Sequence, residues 1–159
     1  MHKFMQYCDF KAAAISISEE TKRLTAEGKL TSAEALSLKE ENLKAFFESD
    51  IGKRVVNSQN VFREQSFMIE ADAKAVYKDL GDEFENEKVI VQGFADLCFY
   101  DGEGLFIIDY KTDRADEEEL IKRYKLQLDI YSLALSQVFE REVTGTAIYS
   151  FYNKKLIEL

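Results

Sequence analysis

The stretch GFADLCFYDGEGLFIIDYKTD, residues 93–113, confines this chain more than any other part of its sequence. Two runs of strand-forming residues flank Asp101-Gly102-Glu103-Gly104, so a β-hairpin is expected. Its loop is either the two residues Gly102 and Glu103 or all four from 101 to 104. Both loops impose the same pairing rule, and under it Asp96 falls opposite Asp109. Opposed residues project from one face with Cβ atoms about 5 Å apart. Lys111 joins that face because strands alternate with period two. Cys98 and Ile107 continue it inward, which leaves three charged side chains at the end of an apolar surface.

Opposed like charges destabilise a sheet. A shared proton, an ion pair with Lys111 or a bound cation would each compensate. Paired hard oxygen ligands suit Mg²⁺, which takes one or two carboxylates and keeps waters that a phosphate displaces. A neighbouring lysine can orient an attacking water, assist its deprotonation, or stabilise charge growing on phosphate oxygens. Asp, a gap, then Asp-x-Lys across a hairpin is therefore a compact set for phosphodiester hydrolysis. The other reading is a solvated Asp–Asp–Lys cluster with a modest ion pair.

The surroundings can support such a site. Apolar residues are 46% of the 159 and aromatics 13%, enough for a proper core in one domain, residues 1–159. Residues 1–60 are expected to be mainly helical. Phe4, Met5, Cys8 and Ala12 mark one helix; Ser18 and Gly28 bound a second; Thr31 and Glu34 cap a third that buries Leu36, Leu43, Phe46 and Phe47. Residues 50–59 form a shorter fourth helix. Residues 61–159 carry the sheet. Two strands separated by a polar excursion with a short helical turn (72–87) precede the hairpin's return. A helix over 116–139 follows, with Leu120, Tyr124, Gln127, Tyr131, Leu135 and Val138 on one side. Two strands joined near Asn153 finish the chain. Three strands, a helix and two strands after a helical region define an α/β fold with a mixed central sheet flanked by helices.

Some classes are excluded or disfavoured. No apolar run is long enough to cross a bilayer and no signal peptide is evident, so a cytoplasmic protein without membrane association is expected. Cys8 and Cys98 are too few for an iron–sulfur cluster and are expected as small buried hydrophobes. The net charge of −9 argues, taken alone, against a nucleic acid partner.

G-F-A-D at 93–96, D-Y-K-T-D at 109–113 and Q-L-D-I-Y at 127–131, in that order, resemble the RecB-type nuclease domain of the PD-(D/E)XK superfamily. The likeness is nearest to the C-terminal nuclease domain of AddA-type helicase–nucleases and runs along nearly the whole chain. It implies a restriction-endonuclease-like core. It also implies a Mg²⁺-dependent DNA exonuclease, with Mn²⁺ able to substitute, acting on the 3′-ended strand in double-strand-break repair and recombination. An AddB-like subunit, DNA and a helicase motor on the same parent chain are the implied partners. A motor that grips and delivers the strand would answer the charge objection.

Residue by residue, the resemblance makes Asp96 and Asp109 metal ligands and Lys111 the catalytic lysine. The Tyr110 backbone carbonyl is a further ligand. His2 matches the family's histidine, which can also contact the metal. Glu64 matches a glutamate that binds metal directly or through water; a solvated strand glutamate is the other reading. Gln127 and Tyr131 are turned toward the site as supporting or DNA-positioning groups. Tyr124 is either their companion or a plain core aromatic. Thr112 and Asp113 are expected to order the strand end. A nuclease-like domain turned structural or DNA-guiding module is the rival function, and the complete Asp, Asp, Lys, Gln, Tyr set argues against it.

Overall fold

Apolar residues at helical spacing, interrupted by capping residues, divide the first sixty positions into six short helices. These are α1 (His2–Tyr7), α2 (Phe10–Ile15), α3 (Ile17–Ala26), α4 (Ser32–Ser37), α5 (Glu40–Glu48) and α6 (Asp50–Asn57). The structure is a computed structural model that describes residues 1–77 and 79–159. The single opening helix expected from the spacing is in fact α1 and α2. The chain turns extended at Cys8, and Asp9 caps α2 by accepting the Ala12 N–H at 2.9 Å. Phe4, Met5 and Cys8 are buried as expected, but Ala12 is exposed, and α2 buries Phe10 and Ala13 instead because the break resets the helical phase.

Two further expectations are corrected. Ser16, not Ser18, caps α3, accepting from the Glu19 N–H; Gly28, at φ +70, ends it as anticipated. The Thr31–Glu34 capping box is present, but the helix it opens stops at Ser37, and a second begins at Glu40. Leu36 on the short α4 is therefore 88% exposed, while Leu43, Phe46 and Phe47 on α5 are buried.

Five strands follow: β1 (Val61–Asp72), β2 (Lys88–Asp101), β3 (Gly104–Lys111), β4 (Val143–Ser150) and β5 (Lys155–Glu158), adjacent in that order. Between β1 and β2 lie a single helical turn, α7 (Ala73–Val76), and a 3-10 turn at Asp82–Phe84; Lys78 in this excursion lies outside the described residues. The β2–β3 loop is the two-residue form, since Asp101 pairs with Gly104, and Gly102 adopts φ +65. Among the described residues β3 and β4 alone are parallel, and α8 (Glu117–Phe139) makes the crossover that parallel strands require. Asp116 caps α8 and Glu117–Glu119 fill its first turn, where carboxylates complement the helix dipole.

The sheet is covered on both faces. On one, Phe4, Leu43 and Phe46 pack with Leu97, Phe99, Ile108 and Tyr149; on the other, Leu120, Leu128 and Leu135 of α8 pack with Cys98, Leu105, Ile107 and Ile148. Cys8 and Cys98 are both free and buried. One irregularity shapes everything near the site. Phe62 of β1 and Cys98 and Tyr100 of β2 belong to the α8 side, but so do Phe67, Ile69, Val91 and Ala95. Even positions give way to odd ones in both strands between these sets. The register is the same on either side, with Arg63 paired to Leu97 and Gln65 to Ala95, so the switch occurs where Glu64 faces Asp96. Glu64 sits at φ +49, a left-handed conformation uncommon outside glycine.

Candidate active site

β2 and β3 stay paired from Asp101–Gly104 as far as Leu97–Ile108, while β3 continues beside β4 to Lys111. Asp96 and Asp109 are the next pair in register, where the β2–β3 ladder has ended. Side chains take over the backbone groups of Tyr110 there. The Tyr110 N–H donates to Asp96 Oδ2 at 2.7 Å, and His2 Nε2 lies 2.7 Å from the Tyr110 carbonyl oxygen. His2 Nε2 is also 3.8 Å from Asp96 Oδ2. Helix α1 thus brings residue 2 to the gap between the strands. The Tyr110 ring packs among Phe46 and Phe151 and meets the His2 ring edge-on.

Asp109 is only 3% exposed. Lys111 Nζ stands 2.6 Å from its Oδ2, yet no donor meets that buried oxygen in hydrogen-bond geometry. The contact is an ion pair of poor hydrogen-bond alignment at that oxygen. Burial raises the Asp109 carboxyl to about 6, against the pull of Lys111 and with the Asp96 charge adding to the rise. Burial raises Asp96 too, opposed by the Tyr110 N–H and by His2, with Glu64 adding to the rise. Both shifts express one cause: carboxylates at the edge of an apolar core are costly to ionise without a compensating charge.

Helix α8 supplies the remaining wall. Lys111 Nζ lies 4.0 Å from the Tyr124 ring centroid and 3.5 Å from Gln127 Oε1. Gln127 donates its amide to the Tyr131 oxygen at 2.6 Å, and the Tyr131 ring meets Phe67 edge-on. The expected line of side chains on α8 is therefore present from Leu120 to Leu135, whereas Val138, 43% exposed, leaves it. Asp113 has a partner that its strand-end position did not announce: the Tyr124 hydroxyl donates to its Oδ2 at 2.6 Å.

Asp96, Asp109, Lys111, the Tyr110 carbonyl and His2 thus meet at one place, with Gln127, Tyr131 and Tyr124 beside it and Glu64 across from Asp96. Among the described residues, no three His, Cys, Asp or Glu side chains are gathered as a ready metal-binding group. The donor chemistry nonetheless fits a hard divalent cation, because Asp109 carries a buried oxygen with no directed donor, flanked by a second carboxylate. His2 Nε2, as placed, donates to Tyr110 and would have to surrender that bond to offer a lone pair.

A mixed sheet between helical layers, whose central hairpin parts around Asp and Asp-x-Lys, is the arrangement of a restriction-endonuclease-like nuclease core. The chain belongs to the PD-(D/E)XK nuclease superfamily, whose family model matches residues 2–158. It is 37% identical over 163 residues to the A subunit of the ATP-dependent helicase/nuclease of Thermoanaerobacter sp. (strain X514), covering 99% of this chain and 13% of that protein. The protein of the same name from Clostridium novyi (strain NT) is 32% identical over 100% of this chain and 13% of its own length. That from Clostridium botulinum (strain Loch Maree / Type A3) is 36% identical over 95% and 12%. The chain therefore spans about an eighth of the length of these relatives. Among solved structures, that of SSO0001 superposes with a TM-score of 0.44 at 16% identity, over 99% of this chain and 64% of that one.

Proposed function

We propose that this chain is a Mg²⁺-dependent DNA exonuclease domain of a helicase–nuclease, acting on a strand delivered by its motor during double-strand-break processing. The observation that carries the reading is the meeting of Asp96, the Tyr110 carbonyl, buried Asp109 and Lys111 where β2 and β3 part. The names of the relatives support the helicase–nuclease setting, in which the whole assembly would engage DNA and a second, AddB-like chain.

Asp96, Asp109 and the Tyr110 carbonyl would hold the ion, with His2 as a further ligand and Glu64 as one acting directly or through water. A divalent ion held there would supply Lewis-acid polarisation of a phosphate and a lowered pKa for a bound water. Lys111 orients the attacking water or takes part in its deprotonation, and stabilises charge growing on the phosphate. Gln127 and Tyr131, hydrogen-bonded to each other beside Lys111, are supporting or DNA-positioning groups. The net charge of −9 is compatible with this role where a motor delivers the strand and the ion cancels local charge.

The test is degradation of end-labelled linear DNA with Mg²⁺ or Mn²⁺, against EDTA and against Asp109→Ala. Metal-dependent shortening lost in the variant is expected. A protein that takes up Mn²⁺ at neither aspartate and cuts nothing would instead favour a DNA-guiding or structural module.

A further inference from the structure

The Lys111 ammonium has three neighbours of different kinds. One is the Asp109 carboxylate at 2.6 Å, one is Gln127 Oε1 at 3.5 Å, and one is the face of Tyr124, 4.0 Å from the ring centroid. The lysine side chain is 16% exposed, so these neighbours dominate its surroundings. The first is the one a bound cation would draw away, since Asp109 would then direct its oxygens at the ion. The amide contact is long for a hydrogen bond. The aromatic face is neutral and loses nothing when Asp109 turns to another cation.

Tyr124 is itself held. Its hydroxyl donates to Asp113 Oδ2 at 2.6 Å, across the turn between β3 and α8. Asp113 follows Lys111 by two residues, so the segment carrying the lysine also carries the anchor of the ring above it. Resting on the nuclease reading above, we propose that Tyr124 is a positioning residue for Lys111. Its ring face keeps the ammonium at the reaction centre while Asp109 serves the metal, and Asp113 sets the ring's orientation. The second aspartate of D-Y-K-T-D thereby acts on the lysine through Tyr124 and touches no substrate.

Two readouts test this on the whole domain. The first needs no activity: the ε-methylene protons of Lys111, assigned with a Lys111→Arg variant, should lie upfield of the other lysines through the ring current of Tyr124. That shift should persist in Tyr124→Phe and vanish in Tyr124→Leu, with melting temperature and Mn²⁺ affinity kept as controls. The second is the kcat–KM split on an oligonucleotide at saturating metal. Tyr124→Leu should lower kcat on the order of ten- to thirty-fold, the size of a desolvated cation–π contact, with KM within about two-fold. Tyr124→Phe should recover most of the rate, and Asp113→Asn should resemble it. An unshifted Lys111 in the wild type overturns the proposal, as does a Tyr124→Leu protein with wild-type kcat or equal losses in the Leu and Phe variants. A wild-type protein that takes up Mn²⁺ at neither aspartate and cuts no DNA overturns the nuclease reading instead, and the ring-current shift then still decides whether the ring holds the lysine.

Discussion

The carboxylate of Asp96 accepts the backbone N–H of Tyr110 at 2.7 Å, one step beyond the last backbone pair joining their strands. A side chain thus completes the sheet's hydrogen bonding where the strands diverge, and the same residue is a proposed metal ligand. The two duties separate by substitution. Asp96→Asn keeps an acceptor for Tyr110 and should melt no lower than the wild type while cleavage is lost. Asp96→Ala leaves a buried donor unmade and should lose about 1–3 kcal/mol as well. Chemical denaturation of both variants, beside cleavage assays, measures the difference.

Burial holds the Asp109 carboxyl at about 6 in the folded protein, above the value near 3.9 that an unfolded chain shows. The native state therefore binds the extra proton between those limits, and this group's contribution makes stability fall as pH rises through the window. Without metal, Asp109→Asn should exceed the wild type at pH 7.5, by on the order of 2–3 kcal/mol. The gain should shrink to nothing below about pH 4. Thermal melts in EDTA across that range check it. Metal and proton compete for the same oxygens, so Mn²⁺ affinity should weaken as pH drops below about 6.

How much of this was legible in the sequence depends on the range of each signal. The hairpin register came from a tight turn and a period of two, so Asp96 opposite Asp109 followed by counting. The side switch at Glu64 and Asp96 did not, because nothing about a glutamate between Arg63 and Gln65 announces φ +49. Nor did the breaks at Cys8 and Lys39, where neither glycine nor proline punctuates and the apolar spacing runs on through the gap. The tie from Asp113 to Tyr124 joins residues in different elements, and no local rule connects them.

His2 reaches the site only through α1 and donates to a carbonyl that is itself a proposed ligand. Its side chain is 44% exposed, so removing it disturbs little packing. His2→Ala should keep the wild-type melting temperature within about 2 °C. It should require more Mg²⁺ for half-maximal cleavage, and excess metal should recover most of the rate. Titrating cleavage against Mg²⁺ concentration separates a ligand role from a catalytic one.

Gly52 lets α6 start against the end of α5. A Cβ there would lie 2.0 Å from the Phe46 carbonyl oxygen, a backbone atom that has nowhere to go. Phe46 stacks edge-on against Tyr110 and Tyr149, so the strain would be felt at the strand bearing the site. Gly52→Ala should destabilise by roughly 3 kcal/mol or more, as overpacking against a fixed group does. Urea denaturation of this variant beside the wild type reads the cost of the close approach.

The central claim is that Asp96 and Asp109 hold the metal while Lys111 serves the chemistry. It is tested most directly by measuring Mn²⁺ affinity and single-turnover cleavage on the same samples of wild type and Lys111→Ala. The account predicts metal affinity within a few-fold of wild type and a cleavage rate lower by on the order of a hundred-fold or more. Equal cleavage by the two proteins, or metal binding lost together with the lysine, would contradict it.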